Sequence, residues 1–268
     1  MKWWVAGIVP LALTGCLEGN KNTDELCQSN PALQCEQLNL NDGQCRIART
    51  DLIWHRFEVQ KQPTEHNKIK EFQLVAAYTK CLELAAQIET IDQSRLQERR
   101  FTALMHSIEE SDKIISELSQ SDAPETLYFL WSQTGDTHAR RRFLQLEGKE
   151  ILNTPEMQYA LATFYTTRDH AKTLKLLNNA LTLSNGSDIN TEIFKSMASI
   201  NHSLGHMEKA YLWAMVANEF KVPIASEAEL SVMYRFEKPV YKQLNQDADN
   251  IIKAIKNGQY TPSILPSD

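Results

Sequence analysis

Glycine is scarce in this chain, with 9 residues in 268. A Gly-rich phosphate loop, a dinucleotide-binding turn and a Gly-x-Ser-x-Gly nucleophile elbow each need several glycines at fixed spacing, and none is present. Basic clusters are scarce too. Lys and Arg number 28 against 34 Asp and Glu, and the concentrations are Arg95, Arg99 and Arg100 and the run Arg140 to Arg142. That balance excludes nucleic acid as a partner, because phosphate backbones need clustered cations. The two arginine groups read as solvated or ion-paired, or as a docking patch for an acidic partner or lipid head groups. No run of alternating β-branched residues is bounded by turns, so strands are not expected. Cys-x-x-Cys spacing is absent, which argues against a zinc site.

The long apolar run is N-terminal. Lys2 precedes the stretch from Trp3 to Leu13, and the small residues Thr14 and Gly15 follow. A positive start, a short apolar core and a small-residue cut site describe a bacterial secretory signal. The run is too short to span a bilayer stably. The tetrad Leu13-Thr14-Gly15-Cys16 resembles the lipobox of bacterial lipoproteins. The resemblance implies cleavage after residue 15, lipid on Cys16, and membrane attachment through that anchor. Leu17 in place of Asp at the next position implies the periplasmic face of an outer membrane.

With Cys16 taken by lipid, Cys27, Cys35, Cys45 and Cys81 remain. An even number in an oxidising compartment suggests two disulfides, and four cysteines allow three connectivities. Local closure favours Cys27 with Cys35, which leaves Cys45 with Cys81. Residues 16–45 read as a lipidated tether and stapled loop, rich in Asn, Gln and Asp, with Pro31 and the turn Asn41-Asp42-Gly43. Residues 46–120 read as helices. Ile47, Leu52, Ile53 and Phe57 mark one stripe. Pro63 opens a second helix whose face carries Phe72, Val75, Ala76 and Leu82. Phe101, Leu104, Met105, Ile108 and Ile115 mark the buried face of a third helix, from about Ser94 to Leu118. Residues 259–268 read as a tail.

Residues 121–258 carry a repeat. The turns Thr134-Gly135-Asp136, Thr167-Arg168-Asp169 and Leu204-Gly205-His206 align. Each follows an apolar-aromatic helix (Leu127, Tyr128, Trp131; Ala160, Leu161, Phe164; Met197, Ala198) and precedes a second helix. Leu174, Leu177, Ala180 and Leu181 form the inner stripe of one such helix, and Ala210, Ala214 and Ala217 that of the next. A fourth start lies at Leu230 and Tyr234, with Pro239 opening its partner helix. Asp136 and Asp169 are expected as helix caps. The segments Arg168 to Leu181 and Gly205 to Ala217 resemble the tetratricopeptide repeat, and Ala210 to Ala214 is similar to the Sel1-like repeat. Arg140 and Thr173 depart from the pattern where it has a small residue. The segment Leu38 to Cys45 resembles an uncharacterised family of bacterial envelope lipoproteins, a match that brings no activity with it.

The expected fold is all-α: helical hairpins stacked as a short tetratricopeptide-like solenoid behind a disulfide-stapled N-terminal segment. A single hairpin cannot bury its apolar face, so such units must stack. No catalytic residue, metal site or cofactor is expected. His202 and His206 straddle a turn, and Glu109 and Glu110 read as a solvated helix face. The repeat resemblance implies a concave groove lined by Glu125, Phe129, Gln158, Tyr165, Lys195, Ser199 and His202, with Phe129 and Tyr165 as anchors. A noncatalytic adaptor that binds an envelope protein or peptide follows. The competing expectation is an envelope enzyme acting on cell-wall glycan, which would need a buried, convergent polar cluster.

Overall fold

A computed structural model describes residues 22–88, 94–187 and 189–266. Cys16 and the expected signal sequence lie outside the described residues. The described residues are helical throughout, with short 3-10 turns and no strand. The chain divides into two compact units, the first ending at Leu118 and the second beginning at Ser119.

The first unit opens with α1 (Thr23–Ser29), where a loop was expected. Asn22 accepts from the Glu25 amide and Glu25 reaches back to the Asn22 amide, a reciprocal cap that satisfies two orphan donors. Two 3-10 turns follow, Pro31–Leu33 and Cys35–Gln37. Leu26 and Leu33 are wholly buried, so this segment is folded and not a free tether. The Cys27–Cys35 disulfide ties α1 to the second turn.

Three long helices complete the unit: α2 (Arg46–Lys61), α3 (Glu65–Ala85) and α4 (Ser94–Leu118). α3 packs on both α2 and α4. Thr64, not Pro63, caps α3, with its hydroxyl accepting from the Asn67 amide. The Cys45–Cys81 disulfide joins the start of α2 to the last turns of α3. Leu52, Ile53, Val75, Tyr78 and Leu82 form the core between them.

α4 corrects the expected stripe. Phe101, Met105 and Ile108 are exposed, while Arg100, Ala103, Ser107, Ile114 and Leu118 are buried. The polar members of the buried face have partners that decide its direction. Arg100 donates to both oxygens of Asp42 and to the Ala85 carbonyl. Thr79 donates to Ser107 at 2.9 Å. Around the same turn, Arg49 donates to the Asn39 carbonyl and side-chain oxygens and to the Asp42 carbonyl. Tyr78 donates to the Asn39 side-chain oxygen at 2.6 Å. Buried polar groups are tolerable only when satisfied in this way.

The second unit contains α5 (Pro124–Thr134), α6 (Thr137–Leu144), α7 (Pro155–Tyr165), α8 (His170–Leu183), α9 (Glu192–Ser203), α10 (Met207–Glu219), α11 (Glu227–Tyr234) and α12 (Lys238–Lys256). α5 with α6, α7 with α8, and α9 with α10 pack as adjacent pairs. The aligned turns do the joining. Gly135 and Gly205 adopt φ of 73° and 79°, a left-handed conformation that glycine tolerates. Asp136 accepts from the His138 and Ala139 amides, and Asp169 from the Lys172 amide. Ala160, Ala180, Ala210 and Ala217 are wholly buried, so their helices approach closely. α12 packs on α10. The tail is also structured. Tyr260 is 2% exposed, its ring meets Trp213 edge-on, and its hydroxyl donates to Asn178.

Candidate functional site

The face of the second unit where α9 meets α11 carries an apolar hollow of about 330 Å³. Its walls include Ala198, Ser199 and His202 from α9 and Leu230, Met233 and Tyr234 from α11. A volume of this size suits one or two side chains of a partner or a small apolar group. α11 is set by the Ser226 and Glu229 capping box at one end. The Asn218 amide group donates to the Ala225 carbonyl and fixes the approach loop.

An aromatic cluster supports the α11 wall. Tyr234 lies edge-on to His202, with ring centres 6.0 Å apart, and stacks on Phe236 at 5.8 Å. Tyr211 meets Tyr234, Phe236 and Tyr241 edge-on. Edge-to-face contacts of this kind add to the gain from burial. The Tyr211 hydroxyl donates to Asn245, and that of Tyr241 to the Ser231 carbonyl. Burial pushes the Tyr211 and Tyr234 phenols up, so both stay neutral at physiological pH. Met233, at 55% exposure, is the accessible lip, and thioethers adapt to varied apolar partners.

The seven expected groove residues do not form one surface. Ser199 and His202 line the hollow. Lys195 is exposed on the same helix, 3.7 Å from Glu192. Glu125 is exposed in the first turn of α5. Phe129, at 5% exposure, is core and cannot anchor a partner. Gln158 is buried as well. It donates to the Leu152 carbonyl and accepts from Asn179. Tyr165 is half-buried and already engaged: its hydroxyl donates to Glu147 at 2.6 Å, and Lys172 sits 3.8 Å over its ring. Lys172 also reaches Glu147 at 2.5 Å. Burial works to raise the Glu147 pKa, but the bonds from Lys172 and Tyr165 outweigh it and hold the carboxyl below its usual range. The α11 wall was missed because the fourth hairpin start, though visible at Leu230 and Tyr234, was not extended to the groove.

The first unit holds a polar convergence that spacing does not reveal. Arg56 binds Glu110 directly, and its Nε lies 3.6 Å from Glu71. His106 lies 3.7 Å from Glu110. Glu110 is thus half-buried and paired, whereas the sequence reading placed it on a solvated face beside the exposed Glu109. Burial raises the Glu71 pKa, opposed by Arg56 and assisted by Glu110. The adjoining cleft measures about 190 Å³. Arg142 is likewise engaged, with Asp122 and the Ser121 carbonyl. Among the described residues no three histidine, cysteine, aspartate or glutamate side chains converge as a metal site. None of the described helices is long and apolar enough to cross a membrane.

No curated protein and no solved structure matches the chain. A family model described as a protein of unknown function (DUF2989) matches residues 13–215, well over half of the chain. The match takes in Leu13 to Cys16 and both disulfides and stops within α10, so the α11 wall of the hollow lies beyond it. The chain belongs to the DUF2989 family.

Proposed function

We propose that the protein is a noncatalytic adaptor, anchored by lipid on Cys16 at the periplasmic face of the outer membrane. Its tetratricopeptide-like hairpins hold an envelope protein or peptide through the α9–α11 hollow. The observation that carries this reading is the hollow itself: apolar, open to solvent, and walled by His202 and Tyr234 in a fixed aromatic frame. Rigid aromatic walls around an apolar recess are the usual seat of a binding hot spot. The anchor is supported by the Leu-Thr-Gly-Cys tetrad and by two disulfides, which suit an oxidising compartment.

The test is photocrosslinking in intact cells from position 199 or 233, with the exposed Lys242, which does not line the hollow, as the control. One shared adduct from 199 and 233, absent from 242, is the expected result. Adducts from none of the three positions would reject the hollow as the docking site. For the anchor, Cys16→Ser should abolish lipid labelling.

The Arg56, Glu71 and Glu110 convergence favours the second reading, an enzyme acting on cell-wall glycan. A neighbouring pair of carboxyls is what acid–base glycan hydrolysis uses. The cleft beside them is smaller than ordinary ligand sites, and Arg56 occupies the space between the carboxyls. The adaptor reading is therefore preferred. Loss of a glycan-cleaving activity in Glu71→Gln, with folding intact, would reverse the preference.

A further inference from the structure

Two Asn-Gly steps occur in the chain, Asn185-Gly186 and Asn257-Gly258, and the fold sets them against each other. The first lies in the loop after α8, the second just past the end of α12. Their backbones meet with no room for a side chain. A Cβ on Gly186 would stand 2.9 Å from the Gly258 nitrogen and 2.9 Å from the Ile255 carbonyl oxygen. Just beyond the contact, Tyr260 meets Trp213 and Asn178.

An Asn-Gly step is where a chain can modify itself. Glycine has no Cβ to shield its nitrogen, and its backbone turns freely enough for that nitrogen to approach the preceding side-chain amide. Both asparagines are exposed, so water reaches them. Their surroundings differ. The Asn185 Oδ1 accepts from the Ser187 amide at 3.1 Å and from the Ser187 hydroxyl at 2.8 Å. Two donors on that oxygen stabilise the negative charge it gains when Cγ is attacked. The attacking group, the Gly186 N–H, makes only a long bond of 3.3 Å to the Ser184 hydroxyl. The Gly258 N–H instead donates to the Ile255 carbonyl at 3.0 Å, at the end of α12.

We propose that Asn185 is a self-modification site whose conversion to isoaspartate opens this contact. The Gly186 nitrogen bonds to Asn185 Cγ, the Cγ–Nδ2 bond breaks, and ammonia leaves with the Gly186 proton. Water then opens the cyclic imide at either carbonyl, giving aspartate or isoaspartate. In isoaspartate the main chain runs through Cβ and Cγ and is one carbon longer, and the former Asn185 backbone carbonyl becomes a free carboxylate. That carbonyl is the group that abuts Gly258. The new charge therefore falls beside the C-terminal end of α12, where the helix dipole is negative. Lys253 and Lys256 are the cations of that last turn, and Lys256 is already paired with Glu219. A contact too close for a methyl group has no space for the added carbon. The inference does not rest on the adaptor reading or on lipid at Cys16.

The test is incubation of the full chain carrying Cys16→Ser at pH 8 in water enriched in oxygen-18. Peptide mapping with electron-transfer fragmentation then separates aspartate from isoaspartate, and hydrogen exchange reads the contact. In the folded protein Asn185 should convert about fivefold faster than Asn257, relative to the ratio of the two in urea, because freeing the Gly258 N–H costs a helix hydrogen bond. Ser187→Ala removes one donor to Oδ1 and should slow Asn185 several-fold while leaving Asn257 unchanged. Molecules with isoaspartate at 185 should lose exchange protection at residues 258–260. Asn185→Gln, which closes the ring far more slowly, should keep that protection after the same incubation. An Asn185 that converts no faster than Asn257 overturns the inference. So does a Ser187→Ala rate equal to the parent's, or isoaspartate at 185 with protection at 258–260 intact.

Discussion

Arg100 grips Asp42 with two parallel hydrogen bonds, Nε to Oδ2 at 2.6 Å and Nη2 to Oδ1 at 3.0 Å, across 58 residues of sequence. Both side chains are nearly sealed from solvent. A bidentate guanidinium–carboxylate pair of this kind fixes direction as well as distance. It therefore sets which face of α4 turns inward.

Asp42 should make the protein acid-sensitive. Burial works to raise its pKa, but bonds from Arg100, the Gln44 amide and Asn39 prevail and bring it to about 2 from 3.8. A depressed folded pKa means stability that is fully present above the unfolded value and lost as pH falls through the folded one. On the order of 2 kcal/mol should disappear between about pH 4 and pH 2. Asp42→Asn should cost about 3–5 kcal/mol at neutral pH, because Arg100 is left buried without its partner. Urea unfolding of both proteins at pH 7, 4 and 2.5 measures the two effects.

Glu71 should act with the opposite sign. Its carboxyl is pushed up by burial, so its contribution is fullest below the unfolded pKa and is lost as pH rises through the folded one. Glu71→Gln removes that loss. The variant's stability should be flatter than the parent's between pH 4.5 and 7, as read by thermal melts at half-unit intervals.

The Cys45–Cys81 bridge closes a loop of 36 residues. In the chain-entropy model such a loop is worth about 3–4 kcal/mol, and the 8-residue loop of Cys27–Cys35 is worth less. Replacing the Cys45 and Cys81 pair by Ala should therefore lower the melting temperature more than replacing Cys27 and Cys35. Differential scanning calorimetry of the two double variants ranks them, and a reversed ranking would show that α1 depends on its staple more than loop length implies.

Ala210 is wholly buried where α10 meets its neighbours, whereas Glu208 two residues earlier is exposed. Leu at 210 should overpack the contact and cost about 1–3 kcal/mol. Leu at 208 should change stability by less than about 0.5 kcal/mol. Equal denaturation midpoints would contradict the close helix approach.

Filling the hollow should block it without unfolding it. Ser199 is exposed at its rim, so Ser199→Trp adds bulk on the solvent side. Crosslinking from position 233 in this variant should fall to background, while its melting temperature stays within a few degrees of the parent's. Undiminished crosslinking would mean that Met233 contacts its partner outside the recess.

The turns were legible in the sequence because their chemistry is local. Gly135, Asp136, Asp169 and Gly205 each need a particular backbone angle or amide partner within three residues. The pairing of Cys27 with Cys35 followed from the same short reach. The face of α4 did not, because hydropathy ranks Phe101, Met105 and Ile108 above Arg100 and Ser107. The ranking is overturned by Asp42 and Thr79, which come from other elements. α1 was missed since seven residues with Leu26 as the buried one show no period, although Asn22 and Glu25 already spelled a capping box. Tyr165 passed for a groove aromatic because nothing in its own helix shows that Glu147 and Lys172 engage it.

Gly186 and Gly258 press backbone to backbone. A Cβ on Gly186 would stand 2.6 Å from the Lys256 carbonyl oxygen, and one on Gly258 would stand 2.7 Å from that of Asn185. Together with Tyr260 on Asn178, 82 residues apart in sequence, this seam ties the segment after α12 back to α8 and the loop that follows it. The second unit thus has no complete form while its chain is still being delivered. Its α7 to α10 layers must wait, with part of their apolar surface uncovered, for residues beyond 255. Such a late clasp keeps α7 to α10 from locking as a closed unit until the segment that follows α12 has arrived.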